Sequence, residues 1–187
     1  TIIKSPELDP LALAMLGMAL ERADVPAGAV SILCGLGSDI GAKLVASGEI
    51  DQIVFTGSVP TGQAILHAAA ETVTPSLMEL GGKSAAVVFE DADIDGVLNS
   101  LKSGIFYNAG QVCSAMARVL VHRSVYEEVV ARAAELANGL SVGHGLDNPD
   151  HTPVVSAQQL SRVEALTSTA RQDGARVAAG GARLDRA

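Results

Sequence analysis

Two side chains in this sequence have the types and surroundings that thiol-based catalysis requires. Cys113 lies in Asn-Ala-Gly-Gln-Val-Cys-Ser-Ala, a loop of small and polar residues that would leave its sulfur reachable and let backbone N–H groups point near it. Glu79 lies earlier in the chain, in Met-Glu-Leu-Gly-Gly-Lys, among apolar residues. A thiolate is the reactive nucleophile, and a carboxylate whose pKa is raised by apolar surroundings can take a proton from water near neutral pH. Together the two residues are a candidate nucleophile, Cys113, and a candidate general base, Glu79.

Each of these residues also has a simpler interpretation. A cysteine is more often a small buried hydrophobic residue than a nucleophile, and burial is what we expect of Cys34, which ends an apolar strand. A glutamate at a strand end commonly turns its side chain to solvent. Taken one at a time, Cys113 could be either a nucleophile or a packed residue, and Glu79 by itself fits the solvent-facing interpretation better.

Two glycine-containing turns are candidates for a phosphate site. Residues 35–41 read Gly-x-Gly-x-x-x-Gly after a strand, one residue longer than the usual dinucleotide fingerprint. The turn Gly57-Ser58-x-x-x-Gly62 lies between a strand and a helix, where helix N–H groups are free to meet a phosphate. Ser58 could equally be no more than the helix cap.

The elements that must position these residues alternate between helix and strand. Asp9 followed by Pro10 predicts a capped helix start, and apolar residues at helical spacing follow to Leu20. Residues 29–33 are typical of a buried strand and residues 51–55 of a second strand, and each is followed by a helix, the second opened by Ser58. This alternation predicts an α/β fold with an open parallel sheet of Rossmann type.

The part of the chain after Glu79 has its own elements. Residues 84–89 and 118–122 are typical of strands, Asp93 predicts a helix start, and capping-box spacings at Ser124 and Ser156 predict two more helices. Two glycines at 81–82 suit a hinge. We therefore expect a domain boundary here, between residues 1–79 and 80–187.

Composition excludes several classes of protein. Hydrophobic residues make up 48% of the chain and charged residues 18%, which indicates a packed core rather than a disordered chain. A net charge of −8 disfavours nucleic-acid binding, and no apolar run approaches the ~18 residues that span a bilayer. Two distant cysteines favour a reducing, cytoplasmic compartment over a disulfide framework, and the histidines show no metal-ligand spacing. We expect no nucleic-acid, membrane or metal partner.

The motifs around Glu79 and Cys113, with Phe-Thr-Gly-Ser at 55–58, resemble the NAD(P)-dependent aldehyde dehydrogenase family. The string Glu-Leu-Gly-Gly-Lys is intact at 79–83, and Gly-Gln-x-Cys is intact at 110–113. The resemblance implies oxidation of an aldehyde to a carboxylic acid by the type that does not acylate CoA. It assigns Cys113 as the nucleophile that forms a thiohemiacetal and then a thioester, and Glu79 as the base that activates the deacylating water.

The resemblance also implies the identity of the two domains, a cofactor site and an assembly. It makes residues 1–79 the C-terminal part of a dinucleotide-binding domain and residues 80–187 the N-terminal part of an α/β catalytic thiol domain. It places the cofactor against seven residues of this sequence: Lys4, Glu7, Gly37, Gly57, Ser58, Gly62 and Leu80. A glutamate at position 7 would bond ribose hydroxyls and repel a 2′-phosphate, so NAD is expected rather than NADP. The full-length enzyme would be a homo-oligomer.

The same resemblance predicts that the chain is an internal fragment. It opens on Thr-Ile-Ile-Lys without Met, and family segments that complete the oxyanion site and the nicotinamide contacts have no counterpart in it. Little activity is therefore expected from this stretch alone. The alternative is a non-catalytic dinucleotide-binding remnant or an interaction module, in which Cys113 does no chemistry.

Overall fold

A computed structural model describes residues 1–184 of the chain, which divides into two compact units, Thr1–Gly81 and Gly82–Ala187. Both units alternate strands with helices, so the predicted α/β class is confirmed. The first unit contains β1 (Ile2–Lys4), α1 (Leu11–Arg22), β2 (Ser31–Leu33), α2 (Ala42–Ala46), β3 (Ile53–Gly57), α3 (Val59–Thr72) and β4 (Ser76–Leu80). The second contains β5 (Ala85–Val88), α4 (Ile94–Gly104), β6 (Arg118–Val121), α5 (Tyr126–Gly139) and α6 (Ala157–Gln172).

All strand pairing in residues 1–184 is parallel, but the strands form three pairs rather than one continuous sheet. β1 pairs with β2, β3 with β4, and β5 with β6. Parallel strands need crossover connections, and here α1, α3 and α4 supply them. The expected Rossmann-type sheet is therefore present as separate parallel pairs.

In two of the pairs, one face is open. Val54 of β3 lies opposite Leu77 of β4, and their side chains are 66% and 52% exposed. Val87 of β5 lies opposite Leu120 of β6, and both are more than half exposed. On the other face of β3 and β4 lie Ile53 and α3, with Ile53 only 8% exposed. Apolar area that stays in water contributes nothing to stability, so each unit buries a small core.

Three of the predicted helix starts are confirmed. The Ser58 hydroxyl accepts the Thr61 N–H at the start of α3, Asp93 accepts the Asp95 N–H at the start of α4, and Ser156 accepts the Gln159 N–H at the start of α6. Each such bond satisfies an N–H that the first helical turn leaves unpaired.

Two other predicted caps are wrong. Pro10 itself occupies the cap position of α1, and no side chain caps that helix, so Asp9 has no capping role. At α5 a short 3₁₀ turn, Arg123–Val125, precedes the helix, and its cap is His122, whose Nδ1 accepts the Ser124 N–H. The capping-box spacing at Ser124 therefore falls inside the preceding turn rather than at the start of α5.

Candidate active site

Glu79 lies on β4 with its side chain exposed. Alternate residues of a strand face opposite ways, so Met78 and Leu80 lie on the other face, and Leu77, which is half exposed, shares the face of Glu79. Its register partner on β3 is Thr56. Of the three apolar neighbours expected around Glu79, only Leu77 shares its face, so its surroundings within its own unit are less apolar than predicted.

Cys113 lies in the second unit, in the loop between α4 and β6, and its side chain is exposed. A tight turn holds the loop, since the Ala115 N–H donates to the Val112 carbonyl at 3.1 Å and Ala115 itself is buried. Within residues 1–184 the Cys113 N–H donates to no protein acceptor. The sulfur and a backbone donor of the same residue are thus both available to a reactant.

Gly82 lies against the nucleophile loop, a neighbour that sequence reasoning missed. A Cβ placed on Gly82 would lie 3.5 Å from the Cys113 carbonyl oxygen. Gly82 is part of the Glu-Leu-Gly-Gly-Lys string, so the end of that string that belongs to the second unit reaches the Cys113 loop. A Cβ at 82 would make only an ordinary contact there, so the neighbourhood comes from the path of the backbone and has no signal in the sequence.

Lys4, Glu7 and Gly37, which the sequence assigns to the cofactor, lie together in the first unit. The Lys4 ammonium is 2.6 Å from Glu7 Oε2, and a Cβ on Gly37 would lie 3.8 Å from Lys4 Nζ. The hydrogen bond from Lys4, supported by the backbone N–H groups of Glu7 and Gly37, lowers the pKa of the Glu7 carboxyl below its ordinary value. The cluster offers a partly exposed carboxylate and an ammonium for polar groups of a ligand.

Ser5 and Cys34 lie behind this cluster. Ser5 is 1% exposed, its N–H donates to the Leu33 carbonyl, and its hydroxyl donates to Cys34 Sγ at 3.4 Å. The expectation that Cys34 is buried is wrong, because the residue follows the last residue of β2 and is exposed. Its exposure makes it a useful internal reference for Cys113.

Gly57, Ser58, Gly62 and Leu80 lie where β3 and β4 end and α3 begins. Gly62 is buried, and a Cβ there would fall 2.7 Å from Leu80 Cδ2. Gly57 leaves room for the Phe55 ring, which would lie 2.5 Å from a Cβ at 57. The Ser58 hydroxyl already accepts the Thr61 N–H, so the cap interpretation of Ser58 is confirmed. Its phosphate role stays a prediction.

Two cavities among the described residues are lined by none of these side chains. One of about 400 Å³ is beside α1, at Met15 and Met18, and one of about 320 Å³ lies in the second unit between α4 and the segment 140–151. No group of three or more His, Cys, Asp or Glu in residues 1–184 could hold a metal ion. No helix in that range is long and apolar enough to cross a membrane.

The fold and the site define an α/β protein of Rossmann-like type with an exposed cysteine in a tight loop. The model of the aldehyde dehydrogenase family matches residues 1–187, and the chain belongs to that family. The resemblance seen in the motifs is thereby confirmed.

Similar proteins support the assignment. A betaine aldehyde dehydrogenase of Cereibacter sphaeroides is 40% identical over 181 residues, which is 96% of this chain and 37% of that protein. A chloroplastic betaine aldehyde dehydrogenase of Atriplex hortensis is 36% identical over 98% of this chain and 37% of its own length. The NAD⁺ complex of an aldehyde dehydrogenase from Bacillus cereus has a TM-score of 0.94 at 38% identity, and covers 99% of this chain and 38% of that one. The chain thus spans little more than a third of the relatives that it matches.

Proposed function

We propose that this chain belongs to an enzyme that oxidises an aldehyde to a carboxylic acid with NAD, and that Cys113 is the nucleophile. The observation that carries the proposal is the loop at Cys113, where an exposed thiol lies beside its own uncommitted backbone N–H. Family membership supplies the reaction class, and the relatives' names make betaine aldehyde the first substrate to test.

In the first half of the reaction the Cys113 thiol gives its proton to solvent, its Sγ bonds to the aldehyde carbon, and the carbonyl oxygen becomes an oxyanion. Within the described residues the backbone N–H of Cys113 has no protein acceptor, and it can donate to that oxygen. Such donors contribute most as negative charge develops on the oxygen in the transition state. NAD, when bound, accepts the hydride that leaves the same carbon. Collapse of the oxyanion then leaves an acyl group on Cys113 as a thioester.

In the second half Glu79 takes a proton from water, and the hydroxide formed adds to the thioester carbon. Breaking the carbon–sulfur bond releases the carboxylic acid and the Cys113 thiolate. Family membership is what supports this role, because the exposure of Glu79 in the first unit shows only that water reaches its carboxylate. A positioned general base contributes typically 10²- to 10⁴-fold to such a step.

The residues of the first unit fit an NAD site. Glu7 and Lys4 offer an acceptor and a donor to ribose hydroxyls, and the negative Glu7 would repel a 2′-phosphate. Gly37 has no side chain, so the backbone there can approach a ligand, whereas the space beside Gly57 and Gly62 is taken by Phe55 and Leu80. NAD is therefore proposed in preference to NADP. Glu7→Gln is expected to bring the dissociation constant of NADP closer to that of NAD.

We also propose that the isolated stretch turns over aldehyde slowly, and that the complete enzyme is a homo-oligomer. The open apolar faces of β3–β4 and β5–β6 support both proposals, because such surface gains stability when it is covered. A rate of aldehyde-dependent NADH formation by the isolated chain equal to that of a complete family enzyme would contradict the first of them.

The nucleophile is tested by alkylation of the chain with iodoacetamide near neutral pH, with each cysteine followed by mass spectrometry. Cys34 is the matched control, since it is exposed too and accepts a hydrogen bond from Ser5. Faster modification of Cys113 than of Cys34 supports the proposal. Equal, slow modification of both would instead support the non-catalytic remnant.

A further inference from the structure

The backbone just before Cys113 adopts an unusual left-handed turn. Asn108 and Ala109 have φ values of 51° and 55°, and Gly110 has a φ of 74°. Glycine takes this conformation at no steric cost and asparagine takes it readily, whereas a Cβ such as that of Ala109 crowds the following carbonyl. Three consecutive residues of this kind need contacts that hold them in place.

Gln111 supplies such contacts to Asn108, the first residue of the turn. Its Nε2 donates to the Asn108 carbonyl at 3.2 Å, and its backbone N–H donates to the same oxygen at 3.1 Å. In return the Asn108 amide donates to the Gln111 carbonyl at 3.2 Å. The two residues therefore close the turn with three hydrogen bonds between them.

The other end of the Gln111 amide reaches a distant part of the same unit. Its Oε1 accepts the Val155 N–H at 3.1 Å, and Val155 immediately precedes the Ser156 cap of α6. The amide is thus used at both ends, as donor to the turn and as acceptor from the start of α6. Neither a carboxylate nor an apolar side chain could make both bonds.

We propose that Gln111 is a positioning residue for the nucleophile. Gln111 fixes the left-handed turn at 108–110, and through it the direction of the Cys113 thiol and N–H. The proposal rests on the proposed role of Cys113. Gln111 touches no reactant, and its effect passes through the backbone of residues 108–112.

Three variants of the chain separate the turn from the link to α6. Gln111→Ala removes both amide bonds, and Gln111→Glu keeps an acceptor for Val155 but loses the donor to Asn108. Ala109→Gly is the matched control, because glycine relieves the crowding in the turn without touching Gln111. The double variant with Ala109→Gly and Gln111→Ala tests whether an unstrained turn still needs the amide.

The readout is the rate of Cys113 alkylation by iodoacetamide relative to Cys34, with the fold checked by circular dichroism. In the wild type, a Cys113 no faster than Cys34 would contradict the proposed function itself. Given a fast wild-type thiol, Gln111→Ala and Gln111→Glu should each slow Cys113 by about tenfold while Cys34 is unchanged, since thiol reactivity follows its local environment. Ala109→Gly should keep the wild-type rate, and the double variant should recover most of the loss.

A wild-type Cys113 rate in Gln111→Glu would overturn the inference, as would a double variant as slow as Gln111→Ala. The second result would mean that Gln111 acts through Val155 alone. If Gln111→Ala loses its circular dichroism signal, the same comparison is made between Gln111→Glu and the double variant that combines Gln111→Glu with Ala109→Gly. Recovery of the Cys113 rate in that double variant supports the inference, and no recovery overturns it.

Discussion

Gly62 of α3 lies directly against Leu80 of β4, so closely that a Cβ at 62 would fall 2.7 Å from Leu80 Cδ2. Gly62 is buried, and it forms part of the turn that we assign to the cofactor. The helix can therefore pack on the end of β4 only because residue 62 has no side chain.

Gly62→Ala is expected to destabilise the chain by about 0–2 kcal/mol, because the added methyl group forces Leu80 or the helix to shift at a cost of about 1–3 kcal/mol, while alanine's higher helix propensity offsets about 1 kcal/mol. Urea unfolding measures the change. Gly41→Ala is the matched control, since residue 41 has helical φ and ψ and a Cβ there meets nothing within 4 Å. That variant should be neutral or stabilising by up to about 1 kcal/mol. Equal effects of the two substitutions would contradict the packing argument.

Local signals explain why some elements could be predicted from the sequence. Ser58, Asp93 and Ser156 each cap a helix through a bond two or three residues away, which a spacing rule detects. The same rule is wrong at Ser124, because the His122 ring accepts the Ser124 N–H and caps the turn before the helix. A rule based on the spacing of hydroxyl and carboxyl side chains does not include a histidine cap.

Features that depend on distant contacts could not be predicted. Ala109 is in a left-handed conformation that no propensity favours, and the amide that supports it is itself held by Val155, 44 residues further along the chain. The apolar surroundings expected for Glu79 were inferred from neighbours in sequence, whereas strand alternation turns two of those neighbours to the opposite face. A strand reading of residues 76–80 could have shown this.

The Lys4–Glu7 pair predicts a dependence of stability on pH. A carboxyl whose pKa is lowered on folding contributes stability that is complete above its ordinary value of 4.5 and is lost as pH falls through the lowered value. Glu7→Gln should therefore reduce stability at neutral pH slightly and flatten the decline below about pH 4.5. The effect is small because the Glu7 side chain is 42% exposed and solvent screens the pair.

Urea midpoints at a series of pH values check this prediction. Glu71→Gln on α3 is the control, since that exposed carboxylate has no ion pair within residues 1–184. The two variants should differ near neutral pH and converge in acid. A Glu7→Gln profile parallel to the wild type throughout would argue against the linkage.

Asp150 ties the segment 140–151 to α4 and predicts where acid loosens the second unit. Its carboxylate accepts the Ser141 N–H at 3.0 Å and the Ser141 hydroxyl at 2.8 Å, and it pairs with Lys102 at 3.0 Å. These contacts hold the pKa of the Asp150 carboxyl far below its usual range, and the Ser141 hydrogen bonds contribute more than Lys102 does. Their contribution is therefore complete at neutral pH and is lost only in strong acid.

Asp150→Asn should expose this segment to proteases at neutral pH, because an amide cannot match the charged acceptor that Ser141 and Lys102 require. Limited proteolysis with peptide mapping measures the cleavage rate between residues 140 and 151. Lys102→Met is the companion variant, which removes only the ion pair and should have the smaller effect. Cleavage of Asp150→Asn at the wild-type rate would refute the role of the carboxylate.

Glu79→Gln separates the two halves of the proposed reaction without a need for aldehyde turnover. An activated aryl ester can acylate Cys113 directly, releasing the phenolate in a burst, and each later turnover requires water to remove the acyl group. Loss of the base should leave the burst intact and slow the steady phase by about 10²-fold or more. Stopped-flow absorbance of the phenolate gives both phases, and mass spectrometry should find the acyl group accumulating on Cys113. Cys113→Ser serves as the control and should abolish the burst. A Glu79→Gln steady phase equal to the wild type would show that another group, or water alone, removes the acyl group.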